Sequence, residues 1–183
     1  LGLKGTIVAA SLVDAGLGLA LLYLFAAQRR AFALAAAASL ALFLAIGAAF
    51  ELDVNKMTAG VFRHGDLESS RDAKILFQKD GKTATVHLVQ YGSATSIRTN
   101  GKSDGSINLT GEAEGDRGTD EITMVLTAAV PLALKPEAKS AAVIGIGTGL
   151  TTHTLLQSLT IEQVETVEIE AAMAEASRGL MPR

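Results

Sequence analysis

Residues 145–149 read Gly-Ile-Gly-Thr-Gly, and residues 168–170 read Glu-Ile-Glu. Glycine lets a backbone turn tightly and approach a ligand with no side chain in the way. A carboxylate at the end of the following strand can accept hydrogen bonds from both hydroxyls of a ribose. Gly145, Gly147, Thr148 and Gly149 are therefore candidate nucleoside-binding residues, and Glu168, with Glu170 beside it, is the candidate ribose acid. A dinucleotide fingerprint asks for a glycine at position 150, which is Leu150. That substitution moves the expected ligand from NAD toward an adenosyl sulfonium compound. Asp120 and Glu121 form a second acidic pair, at the start of an apolar-periodic stretch where a helix dipole favours acids. His64, His87 and His153 are scattered without metal-ligand spacing. Without cysteine, neither a disulfide nor a cysteine-ligated metal site can form. No metal is expected.

The elements around these residues follow from apolar patterning. Ala141-Ala142-Val143-Ile144 is a short apolar strand running into the glycines, and residues 150–158 read as a helix. Residues 164–167 form a second strand ending at Glu168, and Ala171 opens another helix. This is the first β-α-β unit of a nucleotide-binding α/β sheet. Upstream, residues 73–79 and 83–89 flank Asp80-Gly81, a dipeptide that suits a tight hairpin turn. Residues 96–99 before Asn100-Gly101 repeat the signal. The stretch 102–119 is rich in Gly, Ser, Asp and Glu and predicts a long loop. Residues 120–134 predict a helix capped by Thr119 and ended by Lys135-Pro136.

Composition sets the remaining frame. Hydrophobic residues make up 49% of the chain, and the net charge of -3 gives no basic field for nucleic acid. The apolar excess lies in residues 1–50, whose charges are Lys4, Asp14, Arg29 and Arg30. Residues 6–27 and 31–50 are each long enough to span a bilayer as a helix, and the short Gln28-Arg29-Arg30 link predicts a transmembrane hairpin. The alanine-rich second run suits close packing within a larger helical bundle. Asp14 lies mid-span, where a charge is costly and looks for a partner. Arg29 and Arg30 point the link toward the cytoplasm, but Lys56 and Arg63 flank the other end, so the side occupied by the soluble part stays open. The chain starts at Leu1 and stops just after a helix begins, which reads as a piece of a longer protein.

Residues 57–175 resemble the spermidine/spermine synthase family, in particular its membrane-fused branch. The resemblance is carried by Met57-Thr-Ala-Gly-Val-Phe-Arg, Lys79-Asp-Gly-Lys-Thr-Ala-Thr-Val, Arg98-Thr-Asn-Gly-Lys, Thr119-Asp-Glu, Val143-Ile-Gly-Ile-Gly-Thr-Gly and Val167-Glu-Ile-Glu. It implies an α/β protein in three parts. Residues 1–50 would be two transmembrane helices, 51–119 a small β-domain, and 120–183 the start of a methyltransferase-like Rossmann-type sheet. It implies transfer of an aminopropyl group from decarboxylated S-adenosylmethionine, a co-substrate and not a resident cofactor, to a polyamine. A neutral amine would attack the carbon next to the sulfonium, and sulfur would leave as a thioether.

By the same resemblance, Gly145, Gly147, Thr148 and Gly149 lie against the nucleoside, Glu168 holds the ribose, and Asp120 and Glu121 fall on the substrate side. Glu170 replaces an Asp of the family motif, and Thr148 stands where soluble members carry an acid. The helix from Asp120 lacks the Tyr and His that usually follow. The family's catalytic Asp belongs to a later strand, so no catalytic residue is assigned. The resemblance also allows a homodimer and a place in the bacterial inner membrane. Two other readings stay open. One is an S-adenosylmethionine-dependent methyltransferase-like enzyme. The other is a non-catalytic nucleoside- or polyamine-sensing domain on a transporter-like membrane bundle.

Overall fold

The computed structural model describes residues 2–25, 29–61, 65, 73–108 and 119–180. The chain is a mixed helix and sheet protein that divides into two compact units, Leu1–Asp53 and Val54–Arg183.

The first unit consists of α1 (Gly2–Phe25) and α2 (Arg29–Ala49). At 1.5 Å per residue these are about 36 and 31 Å long, close to the ~30 Å of a hydrocarbon layer. Both are long and apolar enough to cross a membrane, and neither buries a residue within the chain. Tyr23 and Phe32 meet edge to face across the two helices, with ring centroids 5.5 Å apart. Thr6 and Ser11 donate their hydroxyl protons to the carbonyls of Gly2 and Ile7, at 2.8 and 2.9 Å. Those bonds satisfy the only hydroxyls of the first half of α1 inside the helix itself. Asp14 lies on the exposed surface of α1.

The second unit opens with the short α3 (Val54–Thr58), followed by β1 (Lys74–Asp80), β2 (Thr85–Tyr91), β3 (Ala94–Thr99) and β4 (Lys102–Asn108). The four strands form an antiparallel sheet in sequence order. Asn100 and Gly101 take φ of 50° and 81°, the left-handed pair expected of a tight β3–β4 turn. The β1–β2 connection differs from expectation. The ladder closes at the Asp80–Thr85 pair, and Gly81 donates its amide to Ala84 O at 2.8 Å. Asp80 stays in the strand, and Gly81 does not have a positive φ. The long loop expected over 102–119 is also corrected: residues 102–108 are β4. This strand is polar because it is an edge strand, and its register comes from the Asn100-Gly101 turn rather than from its own propensity. The remainder of that expected loop, 109–118, lies outside the described residues.

After β4 come α4 (Thr119–Leu134), β5 (Ser140–Ile144), α5 (Leu150–Leu156), β6 (Gln163–Val167) and α6 (Ala171–Arg178). Thr119 is the first helical residue of α4 rather than the residue before it, and α4 ends ahead of Lys135-Pro136 as expected. β5 and β6 pair in parallel through α5, with Ile144 opposite Val167. α5 stops at Leu156, two residues short of the predicted 158.

The core lies between the antiparallel sheet and α6. Val86, Leu88, Ile97 and Ile107 bury against Ala172, Met173, Ala176 and Leu180, with Phe77, Met124, Ile146 and Leu150 around them. Alternate residues of β2, among them His87 and Val89, point to the other face. There Thr58 and Ala59 are buried, and the Arg98 guanidinium donates to Thr58 O and lies 5.0 Å from the centre of the Tyr91 ring.

His87 is fully buried on that second face, and neither ring nitrogen has a hydrogen-bond partner among the described residues. Burial holds its pKa below 6.5; Asp80 pulls it up and Arg98 pushes it further down. The folded state therefore binds this proton less readily than the unfolded chain. Stability is unaffected well above pH 6.5 and falls as the pH drops below it, because only the unfolded state protonates freely. We expect His87→Leu to remove that loss between pH 6.5 and 5 in a denaturation series. It should leave stability at pH 8 equal or higher, since it deletes two buried nitrogens that have no partner among the described residues.

Candidate nucleoside site

The glycine turn sits at the end of β5. Gly145, Gly147 and Gly149 all have positive φ, of 84°, 49° and 81°. Gly145 continues the parallel pairing, donating to Val167 O at 2.8 Å, and Gly149 closes the turn by donating to Ile146 O at 2.8 Å. A Cβ placed on Gly145 or Gly147 would meet nothing within 4 Å. These two glycines are therefore required by backbone conformation, and the space beside them is open.

Glu168 follows directly on β6 and faces this turn. Its Oε2 accepts from the Ile146 amide at 2.9 Å, and its Oε1 accepts from the Glu170 amide at 2.9 Å. Each carboxylate oxygen keeps further lone-pair capacity for a ligand hydroxyl. Ile169, the next residue, is 84% exposed, and Ile144 at the end of β5 is 93% exposed. The turn thus has an acid fixed by two backbone amides and bare aliphatic groups nearby.

The other expected site residues are held by the protein itself. Thr148 is buried, with its hydroxyl on Met124 Sδ of α4 at 2.9 Å and its methyl group close to Gly105 of β4. Asp120 accepts from the Ser106 hydroxyl at 3.1 Å, and the buried Glu121 accepts from the Asn108 amide. Both acids therefore tie the start of α4 to β4. Glu170 is the residue just before α6. It accepts from Ala172 N at 3.0 Å and from both the amide and the hydroxyl of Thr83, at 2.7 and 2.8 Å. The Thr83 amide, then the Ala172 amide and the Thr83 hydroxyl, lower its pKa from 4.5 to about 2. The structure brings Gly145, Gly147, Gly149 and Glu168 together around one open turn, and places Thr148, Asp120, Glu121 and Glu170 in contacts with neighbouring elements.

Two contributors carry no sequence signal. Ser177 is buried in α6, and its hydroxyl donates to Gly147 O, fixing the turn from below. Thr151 reaches Met124 O at 3.1 Å and joins α5 to α4. Neither carries a local signal, because each acts on a partner far away in sequence. His153 sits in the last turn of α5, with its amide on Gly149 O at 2.9 Å. His64 lies outside the described residues. Among the described residues, no group of His, Asp and Glu could hold a metal ion.

The elements define an antiparallel sheet followed by a β-α-β unit with a glycine turn and an acid at the end of its second strand. No protein-family model and no curated protein matches the chain. Among solved structures, the chain is similar to a probable spermidine synthase from Corynebacterium glutamicum ATCC 13032, with 18% sequence identity and a TM-score of 0.42. The match covers 60% of this chain and 42% of that one, so the chain spans less than half the length of that protein.

Proposed function

We propose that the chain binds an adenosyl sulfonium compound at the glycine turn, as part of a membrane-anchored, spermidine synthase-like aminopropyltransferase. The observation that carries the reading is Glu168. Its carboxylate is held in place by the amides of Ile146 and Glu170 and faces a turn with open space at Gly145 and Gly147. Such an acid suits the two ribose hydroxyls, and the exposed Ile169 beside it suits the face of a base. The co-substrate would be decarboxylated S-adenosylmethionine, and the acceptor a polyamine. The amine would attack the carbon next to the sulfonium, sulfur would leave with the bond electrons as a neutral thioether, and the new ammonium would give up a proton. The four-stranded sheet ahead of the glycine turn favours this reading, since a plain methyltransferase does not need it. α1 and α2 would anchor the chain as a hairpin in a bilayer.

A second reading, an S-adenosylmethionine-dependent methyltransferase-like enzyme, is favoured by Thr148, whose hydroxyl is turned to Met124. A third, a sensing domain without turnover, is favoured by Asp120 and Glu121, which bond to β4. Calorimetry on the detergent-solubilised chain separates the three. Tighter binding of decarboxylated than of intact S-adenosylmethionine by the chain, with release of a thioether nucleoside by the whole protein in the presence of putrescine, is the expected result. Preference for the intact compound moves the assignment to the second reading. Binding without turnover by the whole protein moves it to the third, and failure to bind either compound overturns all nucleoside readings.

A further inference from the structure

Glu170 reaches two places that are distant in sequence. It is only 5% exposed. One carboxylate oxygen accepts from the Thr83 amide and hydroxyl in the β1–β2 connection, and the other accepts from the Ala172 amide in the first turn of α6. Its own amide donates to Glu168, whose second oxygen accepts from Ile146 of the glycine turn. Thr83 is thus hydrogen-bonded to the side chain of Glu170, Glu168 to the backbone amide of the same residue, and Ile146 to Glu168. The hairpin connection is shaped around this carboxylate. A Cβ on Gly81 would clash with Glu170 Oε1. A side chain at position 81 would therefore have to displace the Glu170 carboxylate, and Gly81 does not serve a left-handed turn. The nearby Lys79–Glu175 pair is half exposed on both sides and adds little to the docking.

We infer that Glu170 is a positioning residue that couples docking of the β1–β2 hairpin to nucleoside binding at Glu168. The inference rests on the nucleoside reading above and deepens it. The hairpin connection fixes Glu170, Glu170 fixes one oxygen of Glu168, and the glycine turn fixes the other. A ligand that uses Glu168 thus binds best when the hairpin is docked, and by linkage it must also hold the hairpin down. The length of the side chain matters. Aspartate caps a helix as well as any residue, but it is one methylene too short to hold both α6 and Thr83.

The test uses the whole detergent-solubilised chain, with 5′-methylthioadenosine as the probe. Glu170→Asp keeps a cap on α6 and loses the Thr83 contact. Thr83→Val removes the hydroxyl donor without touching α6. We expect each to weaken probe binding about tenfold, within the usual range of coupling between sites. We also expect saturating probe to slow hydrogen exchange of the Thr83 amide in the native chain, and to slow it much less in Glu170→Asp. A merely structural role for Glu170 would lower melting temperature while leaving ligand-dependent exchange at Thr83 absent. Native binding with unchanged affinity in both variants, or with no effect on Thr83 exchange, overturns the positioning role alone. Failure of the native chain to bind the probe overturns the nucleoside reading, and the positioning role falls with it.

Discussion

Replacing Glu168 by Ala should weaken binding of an adenosyl nucleoside by about 100-fold or more. Two hydroxyl groups donating to one carboxylate form charge-assisted hydrogen bonds, each worth about 1.5–3 kcal/mol. Losing both accounts for at least two decades in Kd. The substitution also leaves the Ile146 and Glu170 amides without their acceptor, so the glycine turn loses its fixed geometry. Glu168→Gln is the sharper variant. Its amide can still accept through one oxygen, but its NH2 must face either the Ile146 or the Glu170 N–H, donor against donor. It should therefore bind more weakly than the native chain and more tightly than Glu168→Ala. Glu165→Gln, on the exposed face of the same strand, is the control and should bind like the native chain. Calorimetry with 5′-methylthioadenosine reads all three. A Kd for Glu168→Ala within twofold of native would remove Glu168 from the site, and with it the observation on which the proposed function stands.

What the sequence made legible was local. The apolar strand, the glycines and Glu168 fall within one β-α-β unit, and each carries its own signal: an apolar run, a positive φ requirement, an acid at a strand end. Asn100-Gly101 is legible for the same reason. What stayed hidden was set by distant partners. β4 reads as a loop because its residues are polar, and only pairing with β3 makes it a strand. Asp120 and Glu121 read correctly as the acids of a first helical turn, yet their hydrogen-bond partners, Ser106 and Asn108, belong to that unrecognised strand. Asp80-Gly81 looks like a two-residue turn. The carboxylate that reshapes it comes from Glu170, and no pattern near residue 81 announces it. Buried His87 appeared as one of three scattered histidines, because its environment depends on which face of β2 meets Thr58 and Ala59.

Gly101→Ala should lower the stability of the second unit by about 3 kcal/mol. Two costs combine. Gly101 has φ of 81°, where an L-residue carries a penalty of roughly 1–2 kcal/mol. A Cβ there would also lie 2.5 Å from the Met57 carbonyl oxygen. No side-chain rotation relieves a contact between a Cβ and a backbone carbonyl, so α3 must move, and such forced shifts cost roughly 1–3 kcal/mol. The movement would also pull Thr58 O away from the Arg98 guanidinium, which packs over Tyr91. Gly92→Ala separates the two costs. Gly92 has a comparable φ of 54° in the β2–β3 turn, and its Cβ would meet nothing within 4 Å. It should lose only the conformational part, about 1–2 kcal/mol. Urea denaturation of both variants gives the difference directly. A Gly101→Ala loss clearly larger than that of Gly92→Ala fixes α3 tightly under the β3–β4 turn. Equal losses would mean that α3 yields at little cost and that the buried face around His87 is more loosely covered than its full burial indicates.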